Sequence, residues 1–388
     1  MAVVFASLAV LSVALGIWQW LAAWRFPLHQ RAGNTAFAPA ITLLKPLKGC
    51  DTNTAQCLES WLAQDYAGPV QILFGIASAD DPACGIVREL MARHPKAGAQ
   101  LVVCPEKLGA NAKVSTLIQL LRLAQNGVIV VSDADVLAPR DFLANLVAPL
   151  QDPGVGLVNC FYRAASYSTL AMRWEAVAIN ADFWSQVLQS RTLQPLDFAL
   201  GAVMATRRED LAGIGGLEAL ADYLADDFQL GNRIARRGKR IALCSVVVDC
   251  LTPPMDWKGA WTHQLRWART IRVCKPWPYG LSILSNATLW PLLWLLWAPS
   301  VMATGVLVGC LAIRIITAQL LQRRLGPVDG QGWFWWLAPI KDLLQFGIWI
   351  GAFFGNDIEW RGERFHLERD GRLLKIPAVS PATDTLPT

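Results

Sequence analysis

Residues 128–136 read VIVVSDADV. Val128, Ile129, Val130 and Val131 are all apolar and β-branched, which predicts a buried strand, and Asp133 and Asp135 then stand one residue apart where that strand must stop. Two carboxylates at a strand end suit a hard divalent ion such as Mg²⁺ or Mn²⁺, whose shell is completed by water and substrate phosphates. An Asx-turn or a cap on the next helix would explain the same tripeptide, so its surroundings have to decide.

Outward from that stretch, ITLLKPL (41–47) and QILFGIA (71–77) are further short β-type runs, while VRELMARH (87–94) and STLIQLLRLAQ (115–125) have helical spacing. This alternation predicts an α/β domain over residues 40–278, with a mostly parallel sheet, helices on its faces and ligands at the carboxyl ends of the strands. Asp133 and Asp135 sit at such an end.

Composition narrows the setting. The 388-residue chain is 54% hydrophobic with 18 Trp and only 17% charged, against about 25% charged in soluble domains. Its mean hydropathy is +0.33. Contact with a bilayer follows. The net charge of +5 is spread along the chain, which fits an anionic lipid surface or a phosphorylated small molecule; no nucleic-acid module is visible. Nine cysteines without a CxxC pair and four histidines offer no zinc spacing, so the cysteines are expected reduced and packed.

Residues 2–24 carry no charge and are long enough to cross the roughly 30 Å hydrocarbon core as one helix. Arg25 and Arg31 follow and no basic segment precedes, which predicts an uncleaved anchor over residues 1–24 with everything after Arg25 in the cytoplasm. Two further spans are expected over residues 281–320, with Pro291 and Pro299 as kinks or turns and Arg323 and Arg324 back on the cytoplasmic side. The third apolar stretch, 331–355, is interrupted by Pro339, Lys341 and Asp342. It is expected to be interfacial, with a re-entrant or spanning course as the alternatives. Residues 356–388 make a cytosolic tail, unstructured over its last dozen residues.

Within the domain, Asp226 and Asp227 form a second acidic pair in YLADDFQLG, just before a helix-like run. HQLRWART (263–270) follows inside a Trp- and Arg-rich amphipathic stretch that predicts an interfacial helix at about 256–278. Asp81 in ADDPA, Asp133 in SDAD, Asp227 in ADDF and Arg266-Trp267 in HQLRW together resemble the D, D, D, (Q/R)xxRW pattern of membrane glycosyltransferases. The resemblance is closest to the ceramide glucosyltransferase family. It extends through LLKPLKG (43–49), GANAKVSTL (109–117), DPGVGLV (152–158), GGLEALADYLADD (215–227) and IEWRGERFHL (358–367). Hopanoid-linked sugar transferases of bacteria look similar over the same blocks. One departure is His263, which stands where the pattern has Gln or Arg.

The resemblance implies a GT-A type domain flanked by membrane helices, in a bacterial inner membrane. It implies an inverting transfer of a sugar, glucose for the nearest family, from a UDP-sugar to the hydroxyl of a lipid, ceramide first. N-acetylglucosamine on a hopanoid lipid is the alternative. Carried over residue by residue, Lys45, Pro46, Lys48, Gly49, Asp81, Lys113 and Asp133 would bind the donor, and Asp133 with Asp135 would hold Mg²⁺ or Mn²⁺. Asp227 would be the base. Asp226, His263, Gln264, Arg266 and Trp267 would line the diphosphate and acceptor region.

Three rivals remain at this level. A Mg²⁺-dependent phosphohydrolase also follows an apolar strand with Asp-x-Asp, but it needs a lysine between its acidic motifs, and none occurs between Lys113 and Lys239. A processive polysaccharide synthase shares the motifs with more membrane helices, and a non-enzymatic membrane scaffold would tolerate loss of Asp133 or Asp227.

Overall fold

A computed structural model describes residues 1–33, 36–326, 334–360 and 362–377. Residues 331–333 of the third apolar stretch and 378–388 of the tail therefore lie outside the described residues. Eight strands form one mixed sheet: β1 (Ile41–Pro46), β2 (Val70–Ile76), β3 (Ala99–Val103), β4 (Val128–Ser132), β5 (Val136–Leu137), β6 (Val155–Ala164), β7 (Val203–Arg207) and β8 (Arg240–Cys250). Their order is β3-β2-β1-β4-β7-β6-β8-β5. The first four strands are parallel; β7 then runs antiparallel to both β4 and β6, and β6 and β8 are parallel.

Every residue of β1 and β4 is buried. Alternate side chains enter different cores: Leu44, Ile129 and Val131 join one cluster, while Ile41, Leu43, Val128 and Val130 join the other. The pleat sends successive side chains to opposite faces, and both faces are covered, hence the unbroken apolar run. The first cluster continues without a break into Ala22, Ala23 and Phe26 of the N-terminal helix and Ala318, Leu321 and Leu325 of a second long helix.

The chain leaves β1 towards β2 and β3 and later returns to β1's other side as β4. Order reversal at this point opens a crevice beyond the carboxyl ends of β1 and β4, where open α/β sheets bind ligands.

Among the described residues, two helices are long and apolar enough to cross a membrane, Ala2–Arg25 and Val301–Leu325. Between them, Pro276–Ser285 and Leu289–Trp297 pass the same test only as a pair bent by 58°. Ala338–Gly351 forms a 14-residue helix. Its two interrupting charges are buried and paired rather than facing lipid. Lys341 Nζ lies 2.5 Å from Asp182 Oδ2, and Arg314 bonds both Asp182 (2.9 Å) and Asp342 (2.8 Å). After that helix, β9 (Asp357–Trp360), β10 (Glu363–Leu367) and β11 (Leu373–Lys375) make a small antiparallel sheet.

Candidate active site

The crevice collects the acidic residues. Asp133 follows β4 directly, and its N–H donates to Ala202 O at 3.1 Å. Asp226 and Asp227 occupy the first turn of the helix Asp226–Arg236, where the positive end of the helix dipole favours anions. Asp227 Oδ1 accepts from its neighbour Phe228 N at 2.7 Å. A Cβ on Gly201 would lie 2.8 Å from Asp227 Oδ2, so any larger residue there would push this carboxylate from its place.

Lys113 joins the two acidic centres. Its Nζ is 2.8 Å from Asp133 Oδ1 and 3.1 Å from Asp226 Oδ2. The segment carrying Lys113 is stitched to the loop before the acid pair. Asn111 N donates to Ala221 O (2.8 Å), Asn111 Nδ2 to Tyr223 O (2.8 Å) and Ala110 N to Asp222 Oδ1 (2.9 Å). Asn111 also caps the helix Ala112–Leu123 through Val114 N, fixing where Lys113 starts. The tail sheet completes the stitching, with Leu373 N donating to Asp222 O at 2.7 Å.

Burial sets the charge balance. Asp227 is pushed up to about 7, by burial first and then by Asp226, with Lys113 pulling the other way. Asp135 rises to about 6 through burial and the like charge of Asp133. Burial alone would lower the Lys113 ammonium, but Asp133 and Asp226 outweigh it and hold it above the usual lysine range. Lys45, wholly buried, is pulled down to about 8 by burial. Its Nζ donates to Ser132 Oγ (3.1 Å) and Asp133 O (2.5 Å). In the loop after β1, Gly49 N donates to both carboxylate oxygens of Asp81, at 3.1 and 2.9 Å.

His263, Gln264, Arg266 and Trp267 lie on the helix Trp257–Cys274. Trp267 meets Tyr162 and Phe183, with ring centroids 6.5 and 6.2 Å apart, and His263 stands 4.6 Å from the Trp267 ring. His263 Nδ1 and Gln264 Nε2 both reach Glu175 Oε1, at 2.6 and 2.9 Å. Burial raises the Tyr162 hydroxyl well above its ordinary range, and Cys250, Asp227, Glu175 and Asp133 add to the effect, so this tyrosine stands within electrostatic reach of both halves of the site.

The structure thus brings Lys45, Lys113, Asp133, Asp226 and Asp227 into one cluster, with Asp135 in electrostatic contact with it. It ties Gly49 to Asp81 and sets the 263–267 segment alongside. Pro46 ends β1, and Lys48 follows in the same loop. Glu175, Tyr162 and Gly201 escaped the sequence reading. A lone acid inside the apolar run LAMRWEAVAI was the available signal for Glu175, because a buried carboxylate needs partners.

Among the described residues no group of three or more His, Cys, Asp or Glu side chains is poised to hold a metal. Two carboxylates suffice when diphosphate oxygens complete the shell, and mutual repulsion between Asp133 and Asp135 is the strain a cation would relieve. The donor set fits Mg²⁺ or Mn²⁺ on those terms.

The sequence profile of glycosyl transferase family 21 matches residues 4–373. The chain belongs to that family. Among curated relatives, this family 21 chain is 25% identical over 224 residues to ceramide glucosyltransferase 3 of Caenorhabditis elegans, covering 57% of this chain and 48% of the relative. It is 25% identical over 252 residues to an N-acetylglucosaminyltransferase of Bradyrhizobium diazoefficiens, covering 60% and 49%. The chain therefore spans about half the length of these relatives. A solved mannosyltransferase of Pyrobaculum calidifontis, in complex with GDP-Man and Mn²⁺, superposes with a TM-score of 0.54 over 91% of this chain and 98% of that one, at 21% identity. The fold is of the GT-A type.

Proposed function

We propose that this family 21 chain is a membrane-bound inverting glycosyltransferase that moves a sugar, glucose in the first instance, from a UDP-sugar to the hydroxyl of a lipid, ceramide in the first instance. The observation that carries the reading is the Lys113 bridge. It holds a strand-end acid pair and a helix-start acid pair at one crevice, with Asp227 raised to about 7. The relatives named ceramide glucosyltransferase support the lipid acceptor, and the Pyrobaculum enzyme's GDP-Man and Mn²⁺ support a nucleotide-sugar donor and a divalent ion.

In this reading the Lys45–Gly49 loop and Asp81 seat the nucleotide, and Lys113 keeps the carboxylates from repelling one another before the donor arrives. A divalent ion held by Asp133 and Asp135 would act as a Lewis acid on the departing diphosphate. Arg266 offers a planar, permanently charged partner for phosphate oxygens. Asp227 takes the proton from the acceptor hydroxyl as its oxygen bonds to the anomeric carbon and the carbon–phosphate-oxygen bond breaks, the electron pair leaving with the diphosphate. A single displacement inverts the centre, so an α-linked donor gives a β-linked product. The helix Trp257–Cys274, with Trp257 and Trp261 exposed, offers an apolar surface that suits the approach of a lipid acceptor.

A second reading, transfer of N-acetylglucosamine to a hopanoid lipid, is favoured by the Bradyrhizobium relative's name. Lipid mass spectrometry of cells expressing the chain, set against cells expressing Asp227→Asn, separates the two by sugar and lipid mass. A new hexosylated sphingolipid only with the wild type supports the first reading. Identical lipid profiles in the two strains would sink both.

A further inference from the structure

Glu175 has no part in the roles above. Its side chain is almost wholly buried in the helix Leu170–Val177, and a carboxylate only accepts hydrogen bonds. Against a carboxylate, the His263 Nδ1 atom, 2.6 Å from Glu175 Oε1, fits the donor role, and Gln264 donates to the same oxygen at 2.9 Å. Two neighbouring residues of one helix are held by one atom of another. The seam extends on both sides. Trp174 meets Trp257 at 5.8 Å between ring centroids, and Phe183 meets Trp267 at 6.2 Å.

Arg, Gln and Nδ1-protonated His have one property in common at the first position of the (Q/R)xxRW pattern: each can present an N–H to an acceptor such as Glu175. His263 satisfies that requirement, which explains how the departure is accommodated. With the proton on Nδ1, Nε2 on the far side of the ring keeps its lone pair and can accept a hydrogen bond from a hydroxyl.

We propose that Glu175 is a positioning residue: it fixes the His263 imidazole as the Nδ1–H tautomer and tethers Gln264, and so sets Trp267 against Tyr162 and Phe183 on the acceptor side of the site. The kinetic part of this assignment rests on the sugar-transfer reading; the tautomer part does not.

Only four histidines are present, so ¹⁵N-histidine labelling of the full chain in nanodiscs, with His263→Gln to assign its signals, reads the tautomer directly. The expected result is Nδ1–H at His263 in the wild type, kept in Glu175→Gln and lost in Glu175→Met, which preserves volume without an acceptor. An Nε2–H tautomer in the wild type, or an unchanged spectrum in Glu175→Met, overturns the proposal. With a UDP-sugar and a ceramide acceptor, Glu175→Met should lower turnover or raise the acceptor KM by roughly tenfold, with coupling to His263 of the size expected for contacting residues. Donor KM should hold, Glu175→Gln should recover most activity, and Glu175→Met should add little in a His263→Ala background. Fully additive losses, or a loss confined to donor KM, also overturn it. A wild type that transfers no sugar sinks the functional reading instead and leaves the tautomer to decide the role of Glu175.

Discussion

Asp227 carries two consequences of one burial. Raised to about 7, its carboxyl is protonated below that pH and accepts a proton only above it. The rate should therefore fall as pH drops through about 7, with a slope near one in log kcat/KM against pH. The same shift bears on stability. Between the ordinary carboxylate range and about 7, the folded chain binds a proton the unfolded chain releases, so folding loses stability as pH rises through that window. Asp227→Asn should lower turnover by roughly 10²–10⁴-fold, the usual contribution of a general base. It should also melt higher than the wild type at pH 7.5 in a differential scanning experiment. A variant less stable at pH 7.5 than the wild type would mean that Asp227 is held as a stabilising anion and is no base.

Asp133 should fail differently. Asp133→Ala would remove a proposed metal ligand and one of the two carboxylate partners of Lys113 together, so calorimetry should show donor binding lost, while Asp227→Asn binds the donor almost normally. Excess EDTA should silence the wild type, and Mg²⁺ or Mn²⁺ should restore it. Full turnover in chelator would remove the metal from the reading. These acids were legible because each breaks a local pattern, two at the end of a valine run and two at the start of a helix. Glu175 and Tyr162 were not, because their partners lie far along the chain, and the lone acid in LAMRWEAVAI signals a need for partners without saying which.

At the scale of elements, the acid pair depends on a sheet built after the last helix. β11 and the turn before it grip the loop ahead of Asp226: Leu373 N donates to Asp222 O at 2.7 Å, and Leu224 N to Gly371 O at 3.4 Å. The sequence showed IEWRGERFHL as part of the resemblance and placed it in the tail, but nothing local to it indicates which loop it would touch. Gly371 has φ +91° and Gly362 has φ +81°, a region where a β-branched residue is strained. Valine at either position should cost about 1–2 kcal/mol. Only Gly371 bonds the acid-pair loop, so Gly371→Val should reduce turnover well beyond Gly362→Val at equal loss of melting temperature. Equal turnover in the two would show that the tail sheet does not position the acids. The sheet itself was legible as alternating strands and helices, and a site at the carboxyl ends of its strands was expected from that alternation. The antiparallel insertion of β7 between β4 and β6 was not, because those pairings are set by packing across long separations.

For the whole molecule, the contacts between helix ends lead to a prediction of topology. The Arg324 side chain donates to Ala23 O (3.0 Å), Trp24 O (2.8 Å) and Phe26 O (2.7 Å), tying the carboxyl ends of Ala2–Arg25 and Val301–Leu325 together. At the opposite end, Phe5 meets Trp297 with ring centroids 6.2 Å apart. The two long helices therefore run in the same direction, and the chain has to travel back between them. Among the described residues, the bent pair Pro276–Ser285 and Leu289–Trp297 is the segment between them that passes the length and hydropathy test. We propose three crossings, with Ala338–Gly351 returning to the side it left so that the tail can bond Asp222 and Leu224. Arg25, Arg323 and Arg324 gather at that side, so the positive-inside rule predicts it to be the cytoplasmic one. Cys50 is exposed beside the donor loop and reports the domain's side without mutation. With Pro299→Cys and Arg369→Cys introduced singly, a membrane-impermeant thiol reagent should label position 299 in intact cells, and Cys50 and position 369 only after permeabilisation. Labelling of position 369 from outside while Cys50 stays protected would mean that the third apolar stretch spans the bilayer, and that the tail cannot reach the loop before Asp226.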